Sequence, residues 1–144
     1  MKRIFCLTPL VFLLSGCFHF GDPRPPLMRA KVLTVANKVC MMVQPKGDEQ
    51  IVTVSIREVG DDRHGLEKYD LNLPASANKC VPTFDYPFKV GKAYGFSAIL
   101  ESPAKLKRGV QPAARIYGVS FSLWENNGQL EANELERSEK GKPR

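Results

Sequence analysis

Strict two-residue alternation constrains this chain most. Tyr117, Val119, Phe121 and Leu123 are apolar, and Gly118, Ser120 and Ser122 between them are small or polar. Tyr94, Phe96, Ala98 and Leu100 repeat the pattern around Gly95, Ser97 and Ile99, and Val52, Val54 and Ile56 repeat it around Thr53, Ser55 and Arg57. Side chains on a strand point to opposite faces in turn, so this period marks strands with one buried and one solvated face. Residues 30–35 and 39–43 are two further short apolar runs around Ala36-Asn37-Lys38 and predict a hairpin. Asn126-Asn127-Gly128 predicts a second turn, because Asn and Gly tolerate positive φ, and it folds residues 129–135 back on the preceding strand. No segment before residue 129 carries a helical stripe. About seven strands with turn signals between them predict an all-β fold, an antiparallel β-sandwich that is loosely immunoglobulin-like. The only tryptophan, Trp124, follows both mid-chain cysteines rather than lying between them, so the immunoglobulin comparison stays loose. A small β-barrel is the alternative.

The N-terminus is of another kind. Lys2 and Arg3 precede an apolar core over residues 4–14. That is too short for a spanning helix, which needs about 20 apolar residues, and suits a secretory signal. Leu14-Ser15-Gly16-Cys17 follows, an aliphatic residue, two small ones and a cysteine. It resembles the lipobox of bacterial lipoproteins, in which the Cys thiol receives a diacylglycerol and becomes the first residue after cleavage. The resemblance implies lipidation at Cys17 with two or three acyl chains such as palmitate. One chain binds a membrane only marginally, whereas two or more hold a protein there. Phe18 follows, not the Asp that retains enterobacterial lipoproteins at the inner membrane, so the expected location is the outer membrane, facing the periplasm.

The expected organisation is a signal peptide at 1–16, a lipidated Cys and extended proline-rich tether at 17–28, a β-sandwich domain at 29–136 and a charged, disordered tail at 137–144. Pro23, Pro25 and Pro26 keep the tether extended at about 3.1 Å per residue. Of four cysteines, Cys6 leaves with the signal and Cys17 is lipidated, which leaves Cys40 and Cys80. An even pair in an oxidising compartment predicts one disulfide. A metal or redox site would want a close Cys-x-x-Cys pair or a nearby His.

Loss of Lys2 and Arg3 takes the formal charge from +6 to +4, spread along the chain. Nucleic-acid binding would want a basic stripe with interleaved aromatics, so no nucleic-acid partner is expected. Residues 60–78 and 102–114 read as long irregular stretches, a length usually reserved for function or disorder. The second holds Lys105, Lys107 and Arg108, either as a solvated connection or as a surface for an anionic partner or headgroup. His19 falls in the tether, and His64 lies beside Asp61 and Asp62 in a polar loop. The chain carries no G-x-S-x-G elbow, H-E-x-x-H or P-loop, and adjacent aspartates do not make the spaced oxygen cage of a calcium loop. The expectation is a protein that is not an enzyme, with no catalytic residues, metal, cofactor or small-molecule substrate.

Taken together, Arg29 to Val32, Val39-Cys40, Gly47 to Gln50, Leu66 to Lys68, Cys80, Gly91 to Tyr94, Pro112 to Arg115, Val119 to Trp124 and Asn126 to Gly128 carry a further likeness in their order and spacing. The chain resembles a family of small enterobacterial periplasmic lipoproteins described as type VI secretion immunity lipoproteins. The resemblance implies a lipid-anchored protein that binds and neutralises a protein toxin delivered into the periplasm, by stoichiometric occlusion. It brings no partner-contact residues with it. From residue type and loop position, Arg63, Tyr69, Lys105, Lys107 and Arg108 are candidate partner contacts, and Tyr86 and Phe88 are candidate anchors that core packing would equally explain. The alternative function is a structural or assembly lipoprotein of the cell envelope or of a secretion apparatus.

Overall fold

The computed structural model describes residues 24–136; the expected signal peptide, Cys17, most of the expected tether and the expected tail at 137–144 lie outside them. Nine strands and one short helix follow in the order β1 (Leu27–Arg29), β2 (Lys31–Val35), β3 (Lys38–Met42), β4 (Gln50–Glu58), β5 (Leu66–Lys68), β6 (Leu73–Pro74), β7 (Ala93–Glu101), α1 (Pro103–Arg108), β8 (Ala114–Asn126) and β9 (Gln129–Glu134). β1 takes in Leu27 and Met28, the last two residues assigned above to the tether.

Seven strands form one sheet with the central order β8-β7-β4. β5 and β6 share the outer side of β4, and β1 and β9 share the outer side of β8. The second sheet is the β2–β3 hairpin. No barrel closes, and the architecture is an all-β sandwich. Most pairings are antiparallel; β1 runs parallel to β8 through Leu27↔Ile116 to Arg29↔Gly118.

The alternating residues of β7 and β8 do what their period dictates: Tyr94, Phe96, Ala98, Leu100, Tyr117, Val119, Phe121 and Leu123 are all buried. They meet Val32, Val39 and Met41 of the hairpin in one core. Burying a large apolar side chain contributes about 1.5–3 kcal/mol, so this interface dominates the stability. β4 departs from the simple pattern. Its register with β7 passes from Ile51↔Leu100 to Thr53↔Ile99, which leaves Val52 as the extra residue of a β-bulge. Ile51 therefore points inward with Val54 and Ile56, and Val52 is only half-buried.

Both predicted turns form. Ala36 and Asn37 (φ 49° and 59°) join β2 to β3, and Asn127 and Gly128 (φ 50° and 76°) join β8 to β9, each pair with the positive φ values that match strand twist. The hairpin layer is thin, and the irregular segment before β7 completes it. Cys40 in β3 is bonded to Cys80 (Cα–Cα 5.0 Å), and the Val81 N–H donates to the Met41 carbonyl (2.9 Å). This bridge holds a non-strand segment against β3, unlike an immunoglobulin bridge, which joins the two sheets. Trp124 is likewise no core residue, being half-exposed with its indole N–H on Ser122 Oγ (3.0 Å).

Candidate functional site

The sandwich has two ends. At one, the chain enters β1 and the residue 44–49 turn and α1 lie together. Ser102 caps α1, its Oγ accepting from Lys105 N (3.2 Å) and donating to Asp48 Oδ1 (2.5 Å), while Asp48 Oδ2 accepts from Ala104 N (2.8 Å). These bonds, the one from Ser102 first, hold the Asp48 carboxyl below its ordinary range. Pro103 starts the helix, and Gly109, in the left-handed region at φ 67°, ends it. The stretch expected to be irregular thus contains a six-residue helix, and Lys105, Lys107 and Arg108 stand exposed on it.

Beside α1 lies a buried ion pair. Arg115 donates from Nε to Glu49 Oε1 (2.7 Å), from Nη2 to Glu49 Oε2 (2.5 Å) and to the Gln44 carbonyl (2.8 Å), and from Nη1 to Tyr117 Oη (3.0 Å). Burial alone would push the Glu49 carboxyl up. The Arg115 and Lys46 N–H bonds outweigh it, and the group sits below its ordinary range. This pair is structural, because it fixes the residue 44–49 turn to the start of β8.

At the opposite end, Asp61 organises the loop after β4. Its Oδ1 accepts from Arg63 N (3.0 Å), and its Oδ2 contacts His64 Nδ1 (2.8 Å). The His64 bond and then the Arg63 N–H keep the Asp61 carboxyl below its usual range. The Arg63 guanidinium makes no hydrogen bond or ion pair among the described residues. Tyr86 ties this loop down by donating to the His64 carbonyl (3.2 Å). Tyr86 and Phe88 pack edge-on against each other (4.9 Å between centroids) and against Tyr94, so both serve the core. Tyr69 is exposed midway along the outer side of β4, its hydroxyl on Glu67, which also pairs with Arg57. Residues 60–78, expected to be irregular, thus supply β5 and β6.

The five candidate contacts therefore do not form one surface. Arg63 follows the C-terminal end of β4, whereas α1 follows Glu101, which pairs with Gln50 at the N-terminal end of β4. Nine residues of strand, about 27 Å, separate the two levels.

The solvent face of the large sheet carries a feature absent from the candidate list. Its floor is Ser55, Gly95, Ser97, Gly118 and Ser120, opposite or diagonal to one another across β4, β7 and β8. Leu27, Val59 and Leu135 stand around this floor, and the trough has a volume of about 910 Å³. Arg29 and Arg57 flank it on opposite sides, paired with Glu134 and Glu67. Nothing lies within 4 Å of where a Gly95 side chain would begin. The signal was present in the sequence: the outward members of the alternation are Gly and Ser rather than the long polar residues that usually cover such a face.

No group of three or more His, Cys, Asp or Glu side chains is placed to hold a metal ion among the described residues, and no helix there is long and apolar enough to cross a membrane. Searches of curated proteins and of solved structures gave no match to this chain. A family model described as a domain of unknown function, DUF7480, matches residues 27–126, from the first residue of β1 to the last of β8. The match takes in the whole ladder of β8 with β7 and β4, the hairpin and the disulfide, and the chain belongs to the DUF7480 family.

Proposed function

We propose that this protein is a lipid-anchored binding protein of the outer membrane, facing the periplasm, which neutralises a type VI secretion toxin by occluding it one-to-one. What supports this reading is the sequence: ordered stretches that resemble those of immunity lipoproteins, behind a Leu14-Ser15-Gly16-Cys17 tetrapeptide that resembles a lipobox. The geometry adds a place to receive a partner. Binding energy at protein interfaces concentrates in a few buried aromatic and Arg anchors ringed by contacts that exclude water. A trough floored by Gly and Ser and flanked by Arg29 and Arg57 can admit such anchors from a toxin, while Arg63 and Tyr69 offer anchors of the protein's own.

The test is co-expression with toxins from the protein's own genomic neighbourhood and titration of one against the other. Protection should saturate at a fixed molar ratio. Gly95→Phe, which projects into open space, should abolish protection while leaving the unfolding curve unchanged, and His64→Ala should leave protection intact. Protection at strongly substoichiometric amounts, lost on His64→Ala, would mean turnover and would sink the proposal.

A further inference from the structure

We infer that the α1 end of the domain is a docking surface for an anionic phospholipid bilayer, so that the folded domain, and not only its acyl chains, touches the membrane. This rests on the lipid-anchor reading and adds an orientation to it.

Two independent observations point the same way. The first is the chemistry of the surface. α1 and the two residues after it present Lys105, Lys107 and Arg108 together with Leu106 and Val110, which are 46% and 43% exposed. Apolar side chains left in water between cations suit a headgroup boundary, where the chains enter the interface and the cations meet phosphates. Lys46 and Arg24 are exposed nearby. The carboxylates at this end offset them only in part: Glu49 is matched by Arg115, while Asp48, held ionised in the α1 cap, and half-buried Glu101 leave the cations in excess.

The second is where the chain arrives. The Pro26 carbonyl accepts from Ile116 N (2.9 Å), and Ser102 N donates to the Ala113 carbonyl (2.9 Å). The residue that enters β1 and the residue that caps α1 are thus bonded to the start of β8 and to the residue just before it. Nine residues separate Cys17 from Leu27, so an anchor at Cys17 delivers the bilayer within about 28 Å of this end. The opposite end, with Arg63 and His64, then faces away from the lipid, and the trough on the sheet face stays open from the side.

The test uses the full-length, lipidated protein reconstituted into phosphatidylcholine vesicles with or without phosphatidylglycerol. A spin label is placed at Leu106→Cys, and separately at Asp62→Cys on the opposite end. The label at 106 should report headgroup-depth contact in the phosphatidylglycerol vesicles and the label at 62 should stay in water. Lys105→Glu with Lys107→Glu and Arg108→Glu should return the 106 label to water without releasing the protein. In protein carrying Cys17→Ser, which lacks the anchor, the cations alone should give weak binding that falls by at least about a hundredfold on the triple reversal, at about fivefold per cation lost and with three anions added. A 106 label as wet as the 62 label, in protein that remains vesicle-bound, would overturn the docking while leaving the anchor standing. Protein that carries no acyl chain and leaves the vesicles would instead overturn the anchor reading on which the orientation depends.

Discussion

Replacing Arg115 by Met should be among the most damaging single changes available on this surface, and the damage should depend on pH with an inverted sign. The Glu49 side chain is 3% exposed and that of Arg115 12%. Removing the guanidinium leaves a buried carboxylate with Lys46 N (2.8 Å) as its remaining donor. Breaking one side of a buried pair costs about 3–5 kcal/mol, against a total of about 5–15 kcal/mol for a domain. With a urea dependence of about 1–3 kcal/mol per molar, the midpoint should fall by about 2 M at pH 7. Far-UV circular dichroism is the appropriate probe, because half-exposed Trp124 reports little of the core. In the native protein the Glu49 carboxyl lies below its ordinary range. Its stabilising contribution is therefore complete above the unfolded value of about 4.3 and is lost as pH falls through the lower folded value. In Arg115→Met the unpaired, buried carboxyl is pushed up instead, so the penalty should shrink as pH is lowered from 7 towards 5 and the group takes a proton. Glu49→Leu combined with Arg115→Met should recover most of the loss, since an apolar replacement of a buried pair is often neutral or better. A midpoint for Arg115→Met within 0.5 kcal/mol-equivalent of native, about what an ordinary surface change gives, would refute the structural role assigned to the pair.

Three other outcomes are expected. Replacing Cys40 and Cys80 by Ala should cost about 4 kcal/mol on the chain-entropy account for a sequence separation of 40, read from urea unfolding, and a loss under about 1 kcal/mol would contradict it. Ala36→Asn should raise stability by about 0.5 kcal/mol, because Ala36 holds φ 49°, a region that Asn occupies more readily; thermal unfolding reads the gain. Cys17→Ser should shift the protein out of the membrane fraction and change its intact mass, and unchanged fractionation and mass would remove the anchor from the account.

Where residue type and side-chain period coincided, the sequence was enough. β7 and β8 could be read residue by residue from Tyr94 to Leu100 and from Tyr117 to Leu123, where nothing interrupts the alternation, and each turn carries an Asn suited to positive φ. β4 was read one step out at its start, since a bulge leaves no mark on an apolar Ile51-Val52 pair that could face either way. α1 was missed because six residues are fewer than two turns and show no stripe. Its boundary signals, Ser102-Pro103 before and Gly109 after, were legible nonetheless. β5 and β6 are too short to show a period and exist because β4 has an unpaired side to offer. The disulfide followed from counting cysteines together with the oxidising compartment that the N-terminus leads one to expect. The candidate contacts were found as polar or basic loop residues, but which end of the sandwich each occupies depends on pairings distant in sequence, such as Gln50 with Glu101. The trough escaped for a different reason: its floor is made of residues that a search for reactive or charged side chains passes over.

The parallel seating of β1 has a mechanical consequence. A pull on the N-terminal segment leaves along the axis of β8, so the bonds of Pro26 to Ile116 and of Ala30 to Gly118, with the Arg29–Glu134 pair beside them, are loaded in shear rather than peeled one at a time. Three residues make a short clamp, and it should be the first element to yield. Beyond it the hairpin comes under tension, and there the Cys40–Cys80 bond sets a hard stop. The roughly 40 residues it spans, about 130–140 Å of extended chain, stay out of the load path however hard the end is drawn. Under force the molecule can therefore give up β1 and lengthen by a short, fixed step while β4 stays shielded within the closed loop.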